Sequence, residues 1–355
     1  MGFKRFISIF SGQVTHNLKN NNINRRFASN YKAAVLNNLN EPLVIEELKQ
    51  IKLKRGQVRI KVHACSINSS DYLLTQGSNP GNLPLPIVPG YEVSGLVLET
   101  QDCMEIAKGD KVVALSKSTL GGFAEECIVD EKDVWMLPGG LEYKQAAALP
   151  DSFGTALLGL VHRGHLSEKQ TVLVTMAAAH GFAALDLAAN VYKAKVIAVC
   201  MSDEETSNLR ERGAWMATSF SEKEILHDVK ELTKDVGLNV IYDTLGGEVL
   251  HTCMKCISHE GHIVIAGHTL SELPRVRISE LLALPCFSLS GVSLTSYRKH
   301  DFAVYRKAVD DALDMKEQGL ISPIINATFP LQEVNKAMEL IKEKQPLGKI
   351  VLEIV

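Results

Sequence analysis

The sequence predicts an α/β protein of two domains, a β-barrel-like domain and a doubly wound parallel-sheet domain. Three observations predict it. Residues 31–150 carry short strand patterns separated by Gly and Pro turns, the spacing of a small barrel. From 151 onward nearly all-apolar strands alternate with helical patterns, as in a parallel sheet covered on both faces. The chain then closes on a helix-like stretch and a final strand. The barrel-like domain is therefore read as 31–150 with 320–355, and the parallel-sheet domain as 151–319.

The first 27 residues stand apart. They carry Lys4, Arg5, Lys19, Arg25 and Arg26 and no acid, with Phe3, Phe6, Ile7, Ile9 and Phe10 forming an apolar face. Basic, amphipathic and acid-free is the pattern of a mitochondrial transit segment. Arg25-Arg26-Phe27-Ala28 fits a matrix-processing site cut after Phe27. The other reading is an Asn-rich tail. A matrix location suits the seven scattered cysteines, an odd number without a disulfide framework.

In the barrel-like region VRIKVHAC (58–65) alternates as a strand does. Pro84, Pro86, Pro89 and Gly90 mark a loop, and the next strand patterns are YEVSGLVLET (91–100), KGDKVVAL (108–115) and FAEECIV (123–129). Residues 143–164 switch to helical period, broken near Pro150. The apolar strands that follow are TVLVT (171–175), KVIAVC (195–200), NVIYDT (239–244), GHIVIAG (261–267) and FSLSGVSL (287–294). A long helix is expected over 301–319, then LQEVNKAMELIKEK (331–344) as a helix and GKIVLEIV (348–355) as a strand.

Composition narrows the function. The chain has 355 residues, 46% hydrophobic and 22% charged, with a net charge of -3. That balance gives no general reason to expect nucleic acid or an acidic membrane as partner. No apolar run reaches the ~18 residues of a membrane span.

The turn after TVLVT carries the first chemical signal. Between strand and helix the chain reads TMAAAHGFAAL. In a dinucleotide-binding turn, glycines permit a tight bend, close approach of backbone to pyrophosphate and close helix–strand packing. The helix N-terminus then offers free N–H groups and a partial positive charge to the phosphates. Here only Gly181 is glycine, among Ala177, Ala178, Ala179 and His180. Alanine partly serves the second and third tasks, and the first where φ is negative. The alternative is the strand-to-helix turn of some other α/β protein. About 20 residues on, where NAD-preferring sites carry an acid, stand Cys200 and Met201, followed by Ser202-Asp203-Glu204-Glu205. Ser202 and the acids read either as ribose neighbours or as a capped helix start.

Several motifs occur together in one order from Tyr31 to Val355: YKAAVL, VHACSINSSDY, PGYEVSGLVLE, KGDKVVAL, AAALPDSFGTAL, TVLVTMAAAHG, DTLGG, GHIVIAG and PLGKIVLEI. By them the chain resembles the zinc-independent quinone oxidoreductases of the medium-chain dehydrogenase/reductase superfamily, and within these the quinone oxidoreductase-like protein 2 group. The resemblance implies a GroES-like barrel joined to a Rossmann domain. It implies hydride transfer from NADPH to a quinone or an electron-poor enone, with the cofactor in the cleft between the domains.

The resemblance also distributes roles. Asn68 would polarise a quinone oxygen, and Asp71 on the same loop would orient it; otherwise Asn68 stabilises a turn. Thr155 would contact the nicotinamide end, or bond its own helix backbone. Ala178, Ala179, His180 and Gly181 would face the pyrophosphate, and Ser202 the ribose. Gly246 and Gly267 would supply close backbone, and Lys349 would close the cleft or be solvated. Zinc-dependent relatives place Cys at Asn68 and a His-Glu pair at Tyr91-Glu92; neither Asn nor Tyr is a good zinc ligand, so no zinc is expected. A homodimer paired through FSLSGVSL is expected by analogy.

Three departures bear on the cofactor. The glycine loop is one residue short, with family glycines falling on Ala178 and Ala179. Glu205 stands at a lysine that often pairs with the 2′-phosphate, and Phe220 at a tyrosine. An anion for a cation beside a phosphate costs on the order of several kcal/mol in a poorly solvated pocket, and the lost hydroxyl about 1 kcal/mol. NADPH preference should therefore be weak, and NADH remains a candidate. A catalytically degenerate member acting as a nucleotide or ligand sensor is the competing expectation. His251, Cys253, Cys256, His259 and His262 have metal-like spacing but fall on a helix and the following turn, where Cys is more often a small hydrophobe.

Overall fold

The computed structural model describes residues 29–78, 84–267, 277–344 and 347–354. The expected transit segment, 1–27, lies outside the described residues.

The second half builds a six-stranded sheet in the order Met216–Ser219, Lys195–Cys200, Thr171–Thr175, Leu238–Asp243, Ile257–Ile265, Phe287–Gly291, with every pairing parallel. Numbered along the chain this is 3-2-1-4-5-6, the doubly wound order of a Rossmann domain. The central strands are buried on both faces: Val172, Leu173, Val174, Val196, Ile197, Ala198, Val240 and Ile241 are essentially inaccessible. That explains their unbroken apolar runs. Helices Pro150–Leu157, Ala178–Asp186 and Phe302–Glu317 cover one core, where Phe153, Phe182 and Val309 pack. Helices Glu222–Thr233 and Gly247–Met254 help close the other, with Ile225 and Val249.

Two elements of this half differ from expectation. Met216–Ser219 is a strand that the sequence did not announce, because four residues, MATS, are too few to display a period. FSLSGVSL is strand only over Phe287–Gly291; Ser293 then caps the helix Leu294–His300 by accepting from Ser296 N.

Five strands of the first half and two from the end of the chain, Ile325–Pro330 and Lys349–Glu353, form a seven-stranded sheet. Gln57–Ile67 is its spine, pairing with Glu92–Gln101, Glu126–Asp130 and the closing strand Lys349–Glu353. Val58, Ile60, Val62, Phe123 and Leu352 fill its interior. The closing strand runs antiparallel, with Ile350 opposite Ile67. This register sets Lys349 beside Asn68, at the end of the sheet that faces the Rossmann domain.

Candidate active site

The two domains meet around a cleft of about 260 Å³, lined from the barrel side by Asn68, Ser70, Tyr91 and Lys349 and from the Rossmann side by Ala179 and His180, among others. It opens at the carboxyl ends of Thr171–Thr175 and Leu238–Asp243, where strand order reverses. That is where open α/β sheets bind ligands.

The Rossmann wall is fixed by hydrogen bonds between these two strand ends. Thr175 Oγ1 donates to Asp243 Oδ1 at 2.9 Å, and Thr244 Oγ1 donates to the Thr175 carbonyl at 2.5 Å. The Ala177 N–H donates in turn to Thr244 Oγ1 at 3.1 Å. The helix then begins at Ala178 with Ala177 as N-cap at φ -117°. No residue from Thr175 to Phe182 has positive φ, so this turn needs no glycine for its bend. Gly181 serves the packing task instead. A Cβ there would stand 2.8 Å from the Thr175 carbonyl oxygen and 2.9 Å from Met176 Cα. The helix therefore lies close on the strand, and its first-turn N–H groups face the cleft without intrahelical partners.

The barrel wall is a buried polar cluster. Lys349 Nζ lies 2.6 Å from Asn68 Oδ1 and 2.6 Å from Glu92 Oε2. Asn68 Nδ2 donates to the same carboxylate at 3.3 Å. Glu92 is 0% and Lys349 2% exposed. Burial pushes the Glu92 carboxyl up, and the Lys349 ammonium pulls it back. Glu92 Oε1 accepts from Asp151 N at 2.9 Å, tying the barrel to the helix Pro150–Leu157. Asp71 accepts from Asn68 N at 2.9 Å and Gly90 N at 3.1 Å, so it sets the backbone of two loops.

Asp151 collects the remaining polar groups. Tyr91 Oη donates to its Oδ2 at 2.8 Å, Lys117 Nζ pairs with its Oδ1, and His180 Nε2 lies 3.6 Å from Oδ2. Ser70 Oγ sits 2.8 Å from Tyr91 Oη. Burial opposes ionisation of Asp151, but Lys117, His180 and Lys349 together hold its carboxyl below the usual carboxylate range. Burial pushes the His180 imidazole down to about 4, so it is neutral at pH 7.

Among residues singled out from sequence, Asn68, Ala179, His180, Gly267 and Lys349 line the cleft. Ala178 and Gly181 lie in the first turns of the helix at its mouth. Five do not line it. Gly181 packs toward the Thr175 carbonyl and Met176. Asp71 is buried behind Asn68. Thr155 sits one turn beyond Asp151, buried in the helix. The Ser202 hydroxyl accepts from Glu204 N at 3.2 Å and caps a short helix. Gly246, at φ 74°, donates its N–H to Asp243 Oδ2 at 2.9 Å and shapes the turn after the fourth strand. Lys349 is not solvated. Sequence reasoning passed over Ser70, Lys117 and Asp151. An acid directly after Pro150 inside an otherwise apolar helix was the available signal for Asp151.

Known proteins share this architecture. A model described as alcohol dehydrogenase GroES-like domain matches residues 54–139, and one described as zinc-binding dehydrogenase matches 181–311. Quinone oxidoreductase-like protein 2 of Rattus norvegicus is 38% identical over 326 residues, 91% of this chain and 92% of that one. The Nematostella vectensis homolog of that protein is 40% identical over 91% of this chain and 88% of its own. The solved Escherichia coli quinone oxidoreductase complexed with NADPH superposes with a TM-score of 0.83 at 21% identity, covering 91% of this chain and 99% of that one.

Proposed function

Because this chain belongs to the quinone oxidoreductase-like family of the medium-chain dehydrogenase/reductases, we propose that it transfers hydride from NADPH to a quinone or an electron-poor enone without zinc. One observation carries the reading. A single cleft joins a helix N-terminus free to bind pyrophosphate and a fixed amide and ammonium positioned to meet a carbonyl oxygen.

The residues present fit a dinucleotide. First-turn N–H groups from Ala178 to His180 would hold the pyrophosphate. Gly267 brings bare backbone to the wall; among the described residues, a Cβ there would meet only the Thr244 carbonyl, at 3.8 Å. NADPH binding in the Escherichia coli structure supports the choice of cofactor, and NADH is the second candidate. The bound nicotinamide supplies the hydride. Asn68 keeps one amide N–H for Glu92 and has a second to offer a substrate oxygen. The donor set supports zinc independence: Asn68 and Tyr91 are poor zinc ligands, and the positive charge beside Glu92 comes from Lys349.

One feature favours the sensor reading. The His180 imidazole stands inside the cleft beside Asp151, where it competes for space with a bound nucleotide. The chain begun at Ala28 is titrated with NADPH and with NADH, then assayed for NADPH oxidation against an ortho-quinone, a para-quinone and an alkenal. Micromolar binding with turnover supports the reductase. Binding without turnover supports a nucleotide sensor, and no binding at millimolar nucleotide removes the reductase and leaves the ligand sensor. The proposal extends to the mitochondrial matrix through 1–27, and to a homodimer paired along the edge strand Phe287–Gly291, whose Leu289 is exposed. Organelle import of the full chain and sedimentation of the mature one test these two points.

A further inference from the structure

The reductase reading leaves the proton unassigned, since hydride reduction of a quinone or enone builds an oxyanion that must be protonated. We infer that Lys117, Asp151, Tyr91 and Ser70 form a relay that delivers this proton to the substrate oxygen in the cleft. The inference rests on the reductase reading.

The geometry is continuous. Lys117 Nζ contacts Asp151 Oδ1, Asp151 Oδ2 takes the Tyr91 hydroxyl at 2.8 Å, and Tyr91 Oη meets Ser70 Oγ at 2.8 Å. Either oxygen of the last pair can donate, so the Tyr91–Ser70 link can reverse its polarity without moving a heavy atom. Its two ends differ in their access to water. The Lys117 side chain is 28% exposed, and Asp151 is buried. Ser70 is exposed at the cleft surface, two residues from Asn68. Lys117 also lies over the Tyr91 ring, 4.9 Å from its centroid, which keeps the ammonium near the chain.

Each link breaks one bond to hydrogen and forms another. The Ser70 O–H proton passes to the substrate oxyanion, and the Tyr91 proton replaces it on Ser70. Asp151 is ionised at rest; the Lys117 N–H proton passes to its Oδ1, and the carboxyl turns to hand that proton to Tyr91, replacing the one Tyr91 gave up. Lys117 goes from charged to neutral, the substrate oxygen from anionic to neutral, and solvent water recharges the lysine. No electrons move along the relay. Ser70 touches the substrate; the other three act through it.

The test uses the mature chain and an acceptor that the wild-type protein reduces. Y91F and S70A are compared with wild type, and S70T restores the hydroxyl. Y91F and S70A should each lower kcat about a hundredfold, within the range of lost general-acid catalysis. KM for NADPH should hold, the solvent deuterium effect on kcat should rise, and S70T should recover most of the rate. Wild-type kcat in both variants would overturn the relay while leaving the reductase intact. So would a lower kcat with unchanged isotope effects, which marks a structural role. Failure of the wild-type protein to oxidise NADPH with any acceptor would remove the reductase reading and the relay with it.

Discussion

Lys349 and Glu92 form an ion pair of 2.6 Å in which both side chains are shut away from solvent. The two residues lie 257 positions apart and meet because the closing strand pairs with Gln57–Ile67. A buried pair is weak evidence for net stability, but removing one partner strands the other's charge. K349M should therefore cost about 3–5 kcal/mol of unfolding free energy. K349M/E92Q should recover part of that loss, because no full charge is left behind. Denaturant titrations of the four proteins in the cycle measure both effects. A K349M loss under about 1 kcal/mol would mean that water reaches Glu92.

Asp71 makes stability depend on pH. Burial pushes its carboxyl from 3.8 up to about 7, against the two backbone N–H groups it accepts from. A carboxyl raised on folding binds its proton more tightly in the folded chain. Its favourable contribution is thus complete below 3.8 and is lost as pH rises toward 7. Asp243, pushed up by burial to about 6, acts with the same sign over a narrower window. His180, pushed down from 6.5 to about 4, acts with the opposite sign between those values. Comparison with D71N isolates the first effect. The unfolding free energy of wild type minus that of D71N should shrink from pH 4 to pH 7. A constant difference would show that Asp71 stays ionised throughout.

Local pattern made the Rossmann half legible, because strands buried on both faces are apolar at nearly every position: TVLVT, KVIAVC and NVIYDT state their burial directly. The strand Met216–Ser219 escaped because it is too short to show a period. The site was legible where family motifs carried it, at Asn68, Gly267 and Lys349. It was not legible where register decides. Asn68 and Lys349 touch across 281 positions through one pairing, Ile350 with Ile67, and no local signal encodes that. The shortage of glycine after TVLVT suggested a weakened turn. Backbone with negative φ throughout removes that concern for the bend and leaves Gly181 with the packing role.

Gly181 is therefore the glycine this turn cannot lose. In G181A the new methyl would press on the Thr175 carbonyl, and overpacking of this kind costs about 1–3 kcal/mol. Relief requires the helix to lift from the strand, which carries its first-turn N–H groups away from the cleft. A lower Tm and at least tenfold weaker NADPH binding are expected together. A177G makes the converse point. Ala177 already has an allowed φ and is the N-cap, where Gly is tolerated better than Ala, so A177G should change stability by less than about 1 kcal/mol and leave nucleotide affinity no tighter. Tighter binding in A177G would restore the view that the turn is short of glycine.

Glu205 should govern the choice between NADPH and NADH. It ends the short helix Asp203–Glu205, directly after the strand Lys195–Cys200. Burial, and then Glu204, push its carboxyl up, so a half-buried negative charge stands where a second anion would be repelled. Phe220 lies by the same strand end, since its N–H donates to the Cys200 carbonyl at 2.9 Å. E205K reverses the charge and should move the ratio of NADPH to NADH affinities toward NADPH by about 10- to 100-fold, or roughly 1.4–2.7 kcal/mol. F220Y should add at most about 1 kcal/mol by restoring one hydrogen bond. The shift from E205K should fade as salt rises, because screening acts on a charge pair near the surface. The shift from F220Y should not. Equal ratios in wild type and E205K at low salt would place Glu205 away from the 2′-phosphate and return cofactor choice to other residues of the cleft.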